Sequence, residues 1–333
     1  MRLSVVIICW NDRKVIGDCL KSICGQRHKI DLEVLVPDNG STDGSVEFIR
    51  EHYPQARVLE NKANLGFGKG NNVGIRAAVG EYVLILNPDT IVHAGAFDAW
   101  IEFADRHPEA GAFGCRVLNP DGSFQHPAQQ FPTVKRYWRE AFFLHRLGRW
   151  LPFLQGQDYA KWDGLNEREI DQQSGCCVMF RNELLRKLGG FDERFFYHFE
   201  ETDLCKRVWD AGYKILYTPD PVVTHLGGTS VSRFPIRFNV ERLRNRYRYF
   251  EKHFGRESLA DMKRVITVHF RMRRLAYRLR GWLIKDPALA GRQAMYQAVL
   301  EWNRHVDPVR FVETGEEPRI DEQTGRLLPA VQG

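Results

Sequence analysis

The chain has 333 residues, 43% of them hydrophobic, enough to bury one large core or two smaller ones. Its net charge of +6 is uneven, because residues 233–285 carry 16 Lys and Arg against 4 Asp and Glu while the remainder is acidic. No apolar run approaches the roughly eighteen residues of a membrane span, and the cysteines, seven in number and without CxxC pairs, argue against a disulfide framework or a zinc site.

The opening Leu3–Trp10 run is too short for a secretory signal and stops at Asn11-Asp12-Arg13-Lys14, so the cysteines read as buried thiols in a reducing cytosol. Leu3–Cys9 reads as a strand and residues 14–25 as an amphipathic helix. Leu32–Val36 is a second strand, Ser45–His52 a helix, Arg57–Leu59 a short strand and Gly70–Ala78 a helix. Tyr82–Leu86 is an unbroken apolar run, the pattern of a strand buried on both faces, and a helix near Ala94–Arg106 and a strand at Ala112–Leu118 follow it. Strands alternating with helices predict an α/β fold, a mostly parallel sheet covered on both faces. Residues 121–169, rich in Pro and aromatics, read as a flap or insert.

Three loops at strand ends carry chemistry: Trp10-Asn11-Asp12, the Pro37–Ser45 turn cluster and the glycine-rich Asn64–Asn72. Glycines allow close backbone approach to a ligand, and a following helix N-terminus favours phosphate. Neither GxGxxG nor GK[ST] is present, so no dinucleotide site or P-loop is supported. The buried strand ends on Asn87-Pro88-Asp89-Thr90, which places a carboxylate where open α/β sheets bind ligands. The alternatives are that Asp89 caps a helix over residues 93–106 and that Asp38 only holds its own turn.

The second half reads as a strand over Gln172–Phe180, a helix over Glu183–Leu188, and then Glu200, Glu201 and Asp203 crowded at a helix start. Dipole complementarity explains one acid there; crowded carboxylates among aromatics also suit a general base. Strands at Lys214–Tyr217 and Val222–Thr224 follow, the latter ending in His225-Leu226-Gly227-Gly228-Thr229-Ser230.

In order, VVIICWN, PDNGSTDGS, NLGFGKGNNVGI, YVLILNPDT, SGCCVMFRNELLRKLGGFDERFFYHFEETDLCKR and VVTHLGGTS resemble the family 2 glycosyltransferases with the GT-A fold, in particular their bacterial rhamnosyltransferase-like branch. The resemblance covers residues 3 to about 232 and implies a nucleotide-sugar-binding domain over residues 1–232. It implies that Asp38 contacts the nucleotide base and that Asn11, Asn64, Gly66 and Asn72 line the pocket. Asp89 corresponds to the last Asp of the DxD metal motif, and His225 would be a second protein ligand to Mg²⁺ or Mn²⁺. The chain departs from that motif in having Asn87 at its first position. Glu201 matches the catalytic base, with Glu200 as the fallback. The implied reaction is inverting, metal-dependent transfer of L-rhamnose from dTDP-rhamnose to a glycan or lipid-linked acceptor of cell-envelope polysaccharide, in the cytoplasm.

From Pro235 the pattern turns helical and basic, with Val265, Val268, Met272, Leu275, Leu279 and Trp282 forming a stripe and arginines on other faces. Residues 233–307 therefore read as a basic helical extension that meets an anionic membrane surface or a sister chain, and residues 308–333 as an irregular tail. A UDP-hexose donor is the alternative within the class. Outside it stands a non-catalytic basic protein on membrane or nucleic acid, which leaves the acids of the first half unexplained; no nucleic-acid partner is expected.

Overall fold

The computed structural model describes residues 1–159, 162–227, 235–283, 288–321 and 326–328. The chain divides into two compact units, one of residues 1–131 and 161–227, the other of residues 132–160 and 228–333. The stretch read as a flap or insert is thus divided, and its middle belongs with the C-terminal helices.

The first unit is built on strands β1 (Leu3–Ile7), β2 (Leu32–Asp38), β3 (Ala56–Glu60), β4 (Tyr82–Leu86), β5 (Thr90–Val92), β6 (Ala110–Leu118), β7 (Ala128–Gln129), β8 (Arg168–Glu169), β9 (Gln172–Gln173), β10 (Cys177–Arg181) and β11 (Lys214–His225). The main sheet has the order β3-β2-β1-β4-β10-β6-β11-β5, with β8 also on β11, and β7 pairs with β9 apart from it. β1–β4, β6 and β11 run in one direction and β5, β8 and β10 in the other. The result is the expected mostly parallel sheet. All five residues of β1 and of β4 are buried, as apolar runs between two helical layers must be. Around it lie α1 (Ile16–Cys24), α2 (Ser45–His52), α3 (Phe67–Ala77), α4 (Ala96–Arg106), α6 (Asn182–Lys187) and α7 (Glu200–Asp210), numbered with α5 (Val134–Ala141) of the second unit.

Two differences from the sequence pattern matter for function. Gln172–Phe180 is not one strand: it breaks at Ser174–Cys176, where Cys177 N–H closes a turn onto Ser174 O at 3.3 Å. Because β10 runs antiparallel with Cys177 opposite Leu86, that turn is carried to the carboxyl end of β4. The two predicted strands at 214–217 and 222–224 are one strand, β11, irregular between Tyr217 and Val222, and its His225 pairs with Thr90 of the unpredicted strand β5.

The second unit contains α5 and helices α8 (Pro235–Phe254), α9 (Glu257–Leu283), α10 (Ala288–His305) and α11 (Pro308–Thr314). Its core includes Tyr247, Phe250, Met262, Ile266, Val299 and Trp302. The predicted stripe on α9 divides: Val265 is buried, whereas Leu275 and Leu279 are exposed, and the side chains of Trp282 and Leu283 lie outside the described residues, as does Gly228–Ser230. The segment after Pro308, expected to be irregular, begins with α11. Asp307 caps it, its Oδ1 accepting from Val309 N–H at 2.9 Å and Arg310 N–H at 3.2 Å; Pro308 opens it and Gly315 at φ 76° closes it. These are ordinary helix boundary signals.

His269 on α9 is held neutral. Burial, then the charges of Arg273 and Arg246, push its pKa from 6.5 down to about 2. The unfolded chain therefore binds a proton near pH 6.5 that the folded chain refuses, so the stability His269 permits is complete above that pH and is lost as pH falls below it. Denaturant titrations at pH 7 and pH 5 are expected to show a smaller acid-induced loss for His269→Leu than for the wild type. Equal losses would show that His269 protonates freely in the fold.

Candidate active site

The carboxyl ends of β1, β2 and β4 and the turn before β10 form one sheet edge. β1 leaves through Asn11, which sits at φ 57°, donates its N–H to Ser41 Oγ at 2.9 Å and accepts from Thr42 N–H at 2.8 Å through Oδ1. The first loop is thereby tied to the second.

At the end of β2, Asp38 is 2% exposed. Its Oδ2 accepts from Gly40 N–H at 3.0 Å and Ser41 N–H at 2.9 Å, so the turn-holding role is real. Its Oδ1 is buried and, among the described residues, has no hydrogen-bond partner. A buried carboxylate oxygen left unmet is costly, and an N–H donor from a ligand would satisfy it.

The glycine-rich loop is shaped by its neighbours. Asn64 Oδ1 accepts from Gly66 N–H at 3.0 Å, and Asn39 Nδ2 donates to Gly66 O at 3.0 Å. Gly66 caps α3 at φ 84°, and a Cβ there would stand 2.5 Å from Phe196 O, so only glycine fits. α3 starts at Phe67, earlier than the pattern suggests, which brings its N-terminal amides to this loop. Asn72, by contrast, is 3% exposed and clasps the Phe191 backbone, Nδ2 donating to Phe191 O at 2.9 Å and Oδ1 accepting from Phe191 N–H at 2.8 Å. It ties the loop to the second half of the chain.

Asp89 does not cap α4, whose N-cap is Gly95. It stands one residue before β5, and the β5–β11 register brings His225 to it, with Nε2 3.3 Å from Asp89 Oδ1. The imidazole is oriented by a directional chain. Asp121 can only accept, so Ser123 Oγ donates to it; Asn119 Nδ2 donates to Ser123 Oγ at 2.8 Å, and Gln125 Nε2 to Asn119 Oδ1 at 2.8 Å. Gln125 Oε1 then faces His225 Nδ1 at 2.7 Å and can only accept, so Nδ1 carries the proton. In the neutral ring the Nε2 lone pair is left towards Asp89, with Asn87 Nδ2 at 3.5 Å. Two acceptors at that distance need a proton or a cation between them. One carboxylate and one such imidazole fit a divalent cation that takes its other ligands from phosphate and water. Among the described residues no cluster of three His, Cys, Asp or Glu side chains forms a complete metal cage.

The three acids of α7 separate by environment. Asp203 is fully buried and paired with Arg207 Nε at 2.8 Å, while the same guanidinium donates to Leu188 O and Gly190 O at 2.8 and 2.7 Å. It is a structural lock. Glu200 is 3% exposed and packs beneath Gly68, where an added Cβ would meet its own Cβ at 3.4 Å. Glu201 is half-buried and lies beside the Ser174–Cys176 turn, its Cβ 3.5 Å from the position of a Cβ on Gly175. Cys176 O in turn accepts from Asn87 N–H at 2.9 Å. Burial pushes the Cys176 thiol up to about 12, and Cys115, Asp89 and Glu201 add to the shift. His198 and Phe199, which introduce α7, both have positive φ (67° and 74°), a strained entry of the kind found at functional sites.

Sequence reasoning missed Gln125 and Asn39. Asn39 follows Asp38 in a turn-forming run and could have been suspected, since Asn in turns hydrogen-bonds backbone. Gln125 has no local signature; only the fold brings it to His225. The buried thiols Cys9, Cys19, Cys176 and Cys205, all with pKa values pushed up to about 12 first by burial, offer no thiolate nucleophile.

Comparison with known proteins gives the family and the fold. Residues 4–189 match the profile described as glycosyl transferase family 2. The chain is 35% identical over 218 residues to the N-acetylglucosaminyl-diphospho-decaprenol L-rhamnosyltransferase of Mycobacterium tuberculosis, covering 61% of this chain and 69% of that one. It is 25% identical over 209 residues to the low-salt glycan biosynthesis hexosyltransferase Agl10 of Haloferax volcanii, covering 62% and 61%. Its fold is similar to the mannosyltransferase PcManGT of Pyrobaculum calidifontis in complex with GDP-Man and Mn²⁺, at a TM-score of 0.54 and 16% identity over 95% of this chain and 88% of that one. The GT-A fold and the profile match together show that the chain belongs to glycosyl transferase family 2.

Proposed function

We propose that this glycosyltransferase inverts the anomeric centre of its donor, depends on a divalent cation, and transfers L-rhamnose from dTDP-rhamnose to a lipid-linked glycan acceptor of cell-envelope polysaccharide, in the cytoplasm. The observation that carries the reading is convergence: Asp38 and His225 at strand ends, the Gly66 loop, Asp89 just past β4, and Glu201 at the start of α7 beside the Ser174–Cys176 turn lie along one sheet edge. The rhamnosyl and lipid parts are supported by the 35% identity to the mycobacterial enzyme, whose name gives both. A UDP-sugar donor is the second reading, because thymine and uracil carry the same imide N–H that Asp38 Oδ1 would accept.

Asp38 and the Asn11 and Asn64 loops would seat the nucleoside, and backbone amides at the start of α3 would face its diphosphate. Mg²⁺ or Mn²⁺, when bound, spreads the charge of the departing diphosphate. Asp89 and His225 would hold that ion. Glu201 would take the proton of an acceptor hydroxyl as its oxygen bonds to the anomeric carbon and the bond to the diphosphate oxygen breaks. Asn72 and Asp203 position these loops. Incubating the enzyme with labelled dTDP-rhamnose, Mn²⁺ and an N-acetylglucosaminyl-diphospho-polyprenol should give a labelled lipid. Label appearing only with a UDP-sugar would replace the donor.

Gln125 is a positioning residue in this reading. Gln125→Leu removes the acceptor that keeps the His225 proton on Nδ1, and the apparent affinity for Mn²⁺ in the presence of nucleoside diphosphate is expected to fall about 10- to 100-fold by electron paramagnetic resonance titration. Gln125→Glu keeps an acceptor and should stay near the wild type. Unchanged affinity in Gln125→Leu would remove the relay from the cation site.

A further inference from the structure

Within the second unit, a pair of 3-10 turns follows α5, at Leu144–Arg149 and Pro152–Leu154. The pair is firmly built. Arg139 Nη1 donates to Gln155 O at 3.2 Å, and Gln157 N–H donates to Glu140 Oε1 at 3.1 Å, fastening the returning chain to α5. A Cβ on Gly148 would stand 2.9 Å from Gln155 Cα, so the turns pack closely on the chain beyond them.

Yet this small, braced element turns its large side chains outward. Trp150 is 70% exposed, Phe153 66% and Phe142 50%, with Leu144, Leu147 and Leu151 also exposed. A folded surface seldom leaves six large apolar side chains open within twelve residues unless they meet something. Arg146 and Arg149 are exposed among them, and the stretch from Phe142 to Leu154 contains no acid. The basic helix α9 lies against the same element: Arg273 Nη1 donates to Glu140 O at 3.2 Å and its guanidinium lies 5.1 Å from the centre of the Phe143 ring. Further along α9, Leu275 and Leu279 are exposed together with Arg271, Arg278 and Arg280.

We propose that Phe142–Phe153 is a docking element for an anionic phospholipid bilayer, with Trp150 and Phe153 entering the headgroup boundary and Arg146 and Arg149 meeting lipid phosphates. Aromatic and leucine side chains interleaved with arginine suit that boundary, where one end of each residue is apolar and the other wet. A second copy of the chain fits less well, because a two-fold contact would bring like arginines face to face. Among the described residues no helix is long and apolar enough to cross a membrane, so the contact is with the bilayer surface. The proposal rests on this surface and not on the donor reading, so failure of rhamnosyl transfer leaves it standing.

The test is flotation of the full chain with vesicles of phosphatidylcholine alone and of phosphatidylcholine with phosphatidylglycerol. The wild type should float with the anionic vesicles, and the double substitution Trp150→Asp with Phe153→Asp should lower its partition about tenfold or more. Arg146→Glu with Arg149→Glu should abolish the preference for anionic lipid. These side chains are exposed, and unfolding midpoints equal to the wild type would confirm that the variants fold. Failure of the wild type to float, or flotation of the Trp150 and Phe153 variant at the wild-type level, would overturn the proposal. So would a wild-type dimer in sedimentation that this variant converts to a monomer without any vesicle binding.

Discussion

Replacing Glu201 by Gln is expected to lower turnover by about two to four orders of magnitude, the usual contribution of a positioned general base. The substitution keeps the size of the side chain and removes only its capacity to take a proton. Nucleotide binding and the unfolding midpoint should therefore stay at the wild-type level, so that the loss falls on turnover. The structure gives a reason to choose this carboxylate over its neighbours. Asp203 is fully buried against Arg207, and Glu200 is 3% exposed beneath α3. Only Glu201 of the three is partly open, beside the turn that hydrogen-bonds the end of β4. Glu200→Gln should accordingly retain transfer. Loss in Glu200→Gln with survival of Glu201→Gln would exchange the two assignments.

Asp89→Asn should be comparably damaging for a different reason. Asn keeps the shape and loses the charge, so a cation loses its one protein carboxylate, and turnover is expected to fall by about two orders of magnitude or more. The dependence on cation concentration should move upward with it, which distinguishes this loss from that of Glu201→Gln. An Asp89→Asn enzyme with the wild-type cation requirement would show that Asp89 serves the fold alone.

Much of the fold was legible because its strands are short, apolar and separated by turn-formers. Tyr82–Leu86 and Ser45–His52 fall where the periodicity puts them. β5 was not legible, since three residues carry no period. That small strand matters most for the site, because its register with β11 sets His225 beside Asp89. The resemblance paired those two residues; local pattern could not have done so. The division of α9 into a packed half and an exposed half was equally hidden, because a hydrophobic stripe looks the same whether or not protein covers it. The helix after Asp307 carries its boundary signals in its cap, its Pro and its Gly, within an otherwise polar stretch.

The most direct test of the central claim, a cation-dependent nucleotide site at the carboxyl edge of the sheet, is the thermal unfolding midpoint with dTDP and UDP, each with and without Mn²⁺. A ligand that binds only the folded chain raises the midpoint, by about 2.7 kcal/mol of stability at a hundred times its dissociation constant. The account predicts a rise with at least one nucleotide that requires Mn²⁺ in the wild type and disappears in Asp89→Asn. No rise with either nucleotide at millimolar concentration, or an equal rise in Asp89→Asn, would contradict it.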